Sequence, residues 1–375
     1  MKIVLTGGGT GGHFYPIIAI AEEINRIVDK EHIVNAELYF FSETEFDKTM
    51  LYENGIRYEW VPAGKWRLYP SIRTIVDMIK VPYGILVALF KMYRLYPDIV
   101  FGKGGYSSFP TLFAARLLRI PVIIHESDTV PGKVSKWAGK FAERIAISYP
   151  DALQYFPKER TAWTGQPVRA TILKASKEGA REYLRLEEGI PVVALIGGSQ
   201  GAMIMNNVLL DALPTLIDTH EIIHQTGTKL FKETSETATI VLGDTANKQH
   251  YKPFPFLNDL ATKMTAGAAD IIISRAGSFI FEIASWGVPS IIVPITNSNG
   301  NHQKKNAYAY ARNGACEVIE ESNLTASVLA TSISDLLTNP EKLSAMRRAA
   351  NEFFKPNAGH MIAEQIVRIA LSHEK

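Results

Sequence analysis

Residues 7–13 read Gly-Gly-Gly-Thr-Gly-Gly-His, directly after the apolar run Ile3-Val4-Leu5. The spacing predicts a strand that hands over to a helix across a glycine-rich turn. Glycine lets the backbone pass through positive φ and lets another molecule approach the main chain. The N–H groups opening the following helix favour anions, and His13 adds a group that titrates near neutrality. A second turn of this kind, Gly197-Gly198-Ser199-Gln200-Gly201, follows Val192-Val193-Ala194-Leu195-Ile196. Two such turns point to a two-domain, nucleotide-using enzyme with its chemistry in the cleft.

Outward from these turns, short β-branched runs alternate with helical periodicity. Strands are expected at 2–6, 36–41, 57–61, 98–101, 121–124, 144–147 and 160–163, then at 191–196, 220–224, 250–254, 269–274 and 289–293. Helices are expected between them, among others at 15–28, 107–118, 201–212, 278–286, 302–313, 325–337 and 340–353. Such alternation predicts an α/β fold with parallel sheets covered on both faces. The pattern restarts after Thr164-Gly165-Gln166-Pro167-Val168-Arg169. The expected domains are therefore 1–164 and 165–356, with a closing helix in 357–375. In open parallel sheets ligands bind beyond the carboxyl ends of the strands, where both glycine turns lie.

A chain of 375 residues suits two domains of ordinary size. Its 46% hydrophobic and 21% charged residues are normal for a soluble globular protein. The single cysteine, Cys316, rules out an internal disulfide and fits a reducing cytosol. Met1-Lys2 leads into a strand pattern rather than a secretory signal. Net charge is only +2, yet residues 60–144 hold 13 Lys/Arg against 5 Asp/Glu. Within them the ten-residue apolar run 81–90 lies between Lys80 and Lys91, well short of the roughly 20 residues that span a bilayer. Lys65, Arg67, Arg73, Lys80, Lys91 and Arg94, around Trp66, Tyr69, Ile75, Ile79 and Phe90, suit either a core helix with solvated ends or docking on anionic lipid. Nucleic-acid binding is not expected, because these cations alternate with long aliphatics rather than stacking aromatics.

Several motifs admit rival readings. Gly7-x-Gly9-x-x-Gly12 satisfies the dinucleotide fingerprint, and Glu43 ends the second strand where a ribose-binding acid belongs. That dehydrogenase reading leaves the second glycine turn without a role. His220-Glu-Ile-Ile-His224 matches the zinc-protease pattern, but that chemistry needs a helix. The segment reads as a strand, along which four residues span about 13 Å. Gly104-Gly105-Tyr106-Ser107-Ser108 and His125-Glu126-Ser127-Asp128 each follow a strand. Polar residues at successive strand ends favour a site over isolated helix caps. In the second half, Ser274-Arg275-Ala-Gly277-Ser278 precedes a helix carrying Glu282, and His302-Gln303 begins the helix holding Asn306-Ala307. Glu282 could accept both hydroxyls of a ribose or be a surface acid.

Taken in order, these motifs resemble the MurG family of bacterial N-acetylglucosaminyltransferases. The resemblance is carried by Gly8-Gly9-Thr10-Gly11-Gly12-His13, Gly102-Lys-Gly104-Gly105-Tyr106 and His125-Glu126. It continues through Gly165-Gln-Pro167-Val168-Arg169, Gly197-Gly198-Ser199-Gln200-Gly201-Ala202, Ser274-Arg275-Ala-Gly277 and His302-Gln303-x-x-Asn306-Ala307. It implies a GT-B fold, two Rossmann-like domains facing a central cleft, with the last helix returning to the first domain. It also implies transfer of N-acetylglucosamine from UDP-N-acetylglucosamine to lipid I, giving lipid II for peptidoglycan, at the inner face of the cell membrane. By position, Thr10, Gly11, Gly12, Asp128, Arg169, Ser199, Leu257, Ser278, Phe279, Glu282 and Gln303 correspond to donor contacts. His13 corresponds to the general base, and Tyr106 and Glu126 to the acceptor side. Two departures stand out. Asp128 replaces the family's usual Asn and cannot donate as an amide does. The Arg275–Glu282 loop is one residue short, and a one-residue shift in helix register would turn Glu282 by about 100°.

The expected reaction inverts the anomeric carbon. The acceptor's 4-hydroxyl attacks, neutral His13 takes its proton, and backbone N–H groups with Ser199 and Arg169 meet the charge on departing UDP. No Asp-x-Asp pair stands beside the donor motifs, so neither a metal nor another cofactor is expected. The rivals are a glycolipid synthase, a UDP-N-acetylglucosamine epimerase and a binding-only protein.

Overall fold

The computed structural model describes residues 1–64, 72–198, 202–296 and 301–373. The chain divides into two compact units, Met1–Ala170 with Lys355–Lys375, and Thr171–Phe354. In the first unit β1 (Lys2–Thr6), α1 (Gly11–Lys30), β2 (Glu37–Ser42), α2 (Lys48–Glu53), β3 (Ile56–Trp60) and α3 (Ile72–Leu95) come in succession. There follow β4 (Ile99–Gly102), α4 (Phe109–Leu117), β5 (Val122–Glu126), α5 (Lys133–Ala138), β6 (Arg144–Ile147) and β7 (Thr161–Trp163). Among the described residues these strands form one parallel sheet in the order β3-β2-β1-β4-β5-β6-β7. Its central strand is apolar on successive residues because helices cover both faces. Ile3 and Leu5 pack with Phe14, Ile17 and Phe40 on one face, Val4 with Phe41, Val100 and Leu112 on the other.

The second unit holds α6 (Ala180–Leu184), β8 (Val192–Ile196), α7 (Met203–Leu216), β9 (Glu221–Gln225), α8 (Phe231–Leu242), β10 (Tyr251–Phe254) and α9 (Asp259–Ala268). It continues with β11 (Ile271–Ser274), α10 (Phe279–Trp286), β12 (Ser290–Ile292), α11 (His302–Arg312), β13 (Cys316–Val318), α12 (Ala326–Leu337) and α13 (Pro340–Phe353). Its described strands pair in parallel in the order β10-β9-β8-β11-β12-β13. The expected α/β architecture with two parallel sheets is thus present, and β9 is the strand that the zinc reading of 220–224 could not accommodate.

The last helix, α14 (Ala358–His373), belongs to the first unit. Ile362, Ile366 and Val367 enter the core beside Ile17 and Ile24 of α1. Burying side chains of this size contributes about 1.5–3 kcal/mol each. Residues 165–170, which the turn signals assign to the start of the second domain, also belong with the first unit. Ala170 N–H donates to Glu22 Oε2 at 2.8 Å.

Candidate active site

In the first unit the candidate side chains gather at the carboxyl ends of β1, β4 and β5, neighbours in the sheet. The glycine turn after β1 delivers His13 into the first turn of α1. His13 Nδ1 lies 3.2 Å from Thr10 Oγ1. The turn after β4 closes over the same ring. Gly105 sits at φ 79°, ψ 164°, a region essentially reserved for glycine. A Cβ added there would come within 3.2 Å of His13 Nε2 and of Gly8 O. The Tyr106 ring lies against Gly9, where an added Cβ would be 3.0 Å from Cε1. His13, Thr10 and Tyr106 therefore share one constellation.

Beneath it runs a buried polar chain. Lys103, 2% exposed, donates from Nζ to Ser127 Oγ. The hydroxyls of Ser127 and Ser148 both donate to Gln166 Oε1 at 2.9 Å. His125 Nε2 faces Gly165 O at 3.0 Å, so it carries the proton. Burial lowers Lys103 to about 8, opposed by the charges of Glu126 and Asp128. Burial and then Lys103 push His125 well below its ordinary value, so that it stays neutral. Burial, then Asp128, raises Glu126, which accepts the backbone N–H groups of Asp128 and Gly132 at 3.0 and 3.2 Å. Glu126 thus shapes the loop that carries Asp128. Lys103 was not singled out from sequence; a lysine between Gly102 and Gly104, directly after an apolar strand, is the signal that marks it.

Arg169 lies in the first unit, its guanidinium 4.3 Å from the centre of the Tyr15 ring. Glu43, the acid that a dinucleotide site would use, is bonded to Lys80 at 3.1 Å.

In the second unit the expected donor residues follow β10, β8 and β11, of which β8 and β11 are neighbours in the sheet. Leu257, after β10, is buried, and its N–H donates to Gln225 Oε1 at 3.3 Å. Gly197 and Gly198 follow β8; Ser199 lies outside the described residues. After β11, Ser278 is the N-cap of α10, Phe279 begins it, and Glu282 stands in its first turn. There a carboxylate is stabilised by the helix dipole. Phe279 packs edge-on against Trp286 at 5.6 Å. Arg275 ties the end of β11 to the residue after β12 through Val293 O at 3.2 Å and to the turn after β13 through Glu321 at 2.5 Å. Gln303 Oε1 accepts the N–H of Ile295 at 3.1 Å, and Asn306 donates to Ala276 O at 3.2 Å.

The basic, apolar stretch 65–94 falls partly outside the described residues: Lys65, Trp66, Arg67 and Tyr69, and the side chains of Arg73 and Ile75. Along α3, Ile79, Tyr83, Leu86, Phe90 and Tyr93 are 52–73% exposed, a stripe at alternating four- and three-residue steps, while Ala88 and Met92 face the core. Two cations expected to face lipid are paired with carboxylates instead, Lys80 with Glu43 and Lys91 with Glu59. No described helix is long and apolar enough to cross a membrane.

The sequence matches the glycosyltransferase family 28 N-terminal domain over residues 3–147 and the family 28 C-terminal domain over residues 192–362. It is 34% identical to the UDP-N-acetylglucosamine–N-acetylmuramyl-(pentapeptide) pyrophosphoryl-undecaprenol N-acetylglucosamine transferase of Thermodesulfovibrio yellowstonii, with 97% of each chain covered. The crystal structure of Acinetobacter baumannii MurG matches with a TM-score of 0.72 at 25% identity, covering 98% of this chain and 99% of that one. A UDP-GlcNAc 2-epimerase from Neisseria meningitidis, 15% identical with a TM-score of 0.68, covers 98% of this chain and 100% of its own and shares the fold.

Proposed function

Because the chain belongs to the MurG family of glycosyltransferase family 28, we propose that it builds lipid II. It transfers N-acetylglucosamine from UDP-N-acetylglucosamine to the N-acetylmuramyl 4-hydroxyl of undecaprenyl-pyrophosphoryl-N-acetylmuramyl-pentapeptide, with inversion. The first unit supplies the base and takes the acceptor; the second takes the donor.

His13 carries this reading. Its Nδ1 lies 3.2 Å from Thr10 Oγ1; in the tautomer that donates from Nδ1 to this hydroxyl, Nε2 is the nitrogen that takes the proton of the attacking hydroxyl, a task that suits a neutral imidazole. Tyr106 and Glu126 form the acceptor side, Glu126 by shaping its loop. Thr10, Gly11, Gly12, Asp128 and Arg169 are further donor contacts in this reading, Arg169 for the charge of the diphosphate. In the second unit Glu282 accepts the ribose hydroxyls, and Ser199, Leu257, Ser278, Phe279 and Gln303 complete the donor set. Backbone N–H groups stabilise the charge that develops on UDP.

The acceptor's polyprenyl tail stays in the bilayer, so the enzyme works as a peripheral protein at the cytoplasmic face. The exposed stripe on α3 supplies the apolar contact, with Arg94, which lies 5.6 Å from the Phe90 ring centre, at its border. The test is incubation of the purified protein with labelled UDP-N-acetylglucosamine and lipid I. Disaccharide on the lipid supports the reading. Label recovered only as an epimerised sugar nucleotide, or UDP bound without transfer, rejects it.

A further inference from the structure

The carboxyl end of β9 reaches in two directions. His224 is fully buried, with Nε2 3.0 Å from Asn206 Oδ1 and Nδ1 2.8 Å from the Tyr251 hydroxyl. An amide oxygen only accepts, so Nε2 carries the proton and Nδ1 accepts from Tyr251. Burial pushes the imidazole down to about 3, so this arrangement holds across the neutral pH range. Asn206 Nδ2 donates to Thr226 O at 2.9 Å, closing a loop of bonds between the strand end and the first turn of α7. The adjacent residue, Gln225, is also buried and accepts the Leu257 N–H. Thr226 N–H donates to Phe254 O at 2.9 Å, tying the same strand end to the end of β10. One tripeptide thereby registers both the helix start behind the second glycine turn and the loop that carries Leu257.

We propose that His224 and Gln225 are positioning residues for nucleoside diphosphate recognition, fixing the first turn of α7 and the Leu257 backbone relative to each other. This rests on reading the second unit as the donor site. Both are taken to act through the protein rather than by contact with the nucleotide. Each acts through a hydrogen bond that would otherwise leave a buried polar group unpaired. The zinc-like pattern at 220–224 acquires a use here: its second histidine is a fixed strut.

The test is calorimetric titration of the full chain with UDP, alongside thermal unfolding and steady-state kinetics. Gln225→Met keeps the volume and removes the acceptor; UDP affinity should fall about 3–10-fold, the range of one net hydrogen bond. The donor KM should rise with it, while kcat at saturating donor stays within about twofold. Gln225→Glu, which keeps an acceptor oxygen, should restore affinity. His224→Phe should weaken UDP binding similarly. Tyr251→Phe breaks only the bond on the β10 side and should lower the melting temperature while leaving UDP affinity unchanged. A wild-type chain that does not bind UDP overturns the donor reading and this inference together. Normal UDP binding by Gln225→Met overturns the inference alone. So does a loss of affinity in Tyr251→Phe equal to that in the other two variants.

Discussion

Gly105→Ala tests whether the imidazole depends on the turn that closes over it. At φ 79°, ψ 164° an alanine is strained by about 1–3 kcal/mol. For a domain near 190 residues, each kcal/mol lowers the melting temperature by about 2–4 °C. The new Cβ would stand 3.2 Å from Gly8 O and His13 Nε2 and 3.3 Å from Cδ2. Relief requires the ring to retreat by a few tenths of an ångström. If misplacement by about 1 Å costs about 10² in rate, a shift of about 0.3–0.5 Å costs about 4–10-fold in kcat. The measurement is initial transfer rate at saturating donor and acceptor, below the unfolding transition, with UDP affinity as control. Reduced kcat with unchanged UDP affinity is expected. A melting temperature that falls while kcat stays at the wild-type value would refute the link between the turn and the base.

Three further perturbations test the account. Leu86→Asp with Phe90→Asp places charge in the α3 stripe and should reduce flotation with anionic vesicles, leaving UDP binding intact; unchanged flotation counts against docking through this face. Burial lowers Lys103 to about 8 from an ordinary 10.5, so between these values the native state has released a proton that the unfolded chain retains. Wild-type stability relative to Lys103→Met should therefore rise from pH 8 towards 10.5, by on the order of 3 kcal/mol, and a flat difference in chemical denaturation would contradict this. Transfer should persist after exhaustive chelation of divalent metals, and activity restored only by added metal would show that the donor diphosphate needs a cation.

The constellation around His13 was legible because Thr10 and His13 are three residues apart and both glycine turns announce themselves locally. The polar chain beneath it was not, since Lys103 meets Ser127 and Ser127 meets Gln166 across 24 and 39 residues. Periodicity failed where packing uses small or polar groups. On α8 the buried positions are Thr234, Ala238 and Leu242, a helical spacing with one large apolar side chain. On α3, Pro82 and Gly84 resemble a break, yet the helix continues through both. A Cβ on Gly84 would fall 1.9 Å from Pro62 O, so this glycine serves close packing rather than a turn. The edge strand β13 is too short to carry an alternating pattern. Arg169 matches a donor motif, but only coordinates reveal its guanidinium over Tyr15.

His13→Gln tests the central claim most directly, because it removes the ring nitrogen proposed to accept the proton while keeping a polar side chain at the head of α1. Single-turnover transfer to lipid I at saturating UDP-N-acetylglucosamine should slow by about 10²–10⁴, with UDP affinity within about twofold of wild type. Transfer at close to the wild-type rate would contradict the assignment of His13 as the base.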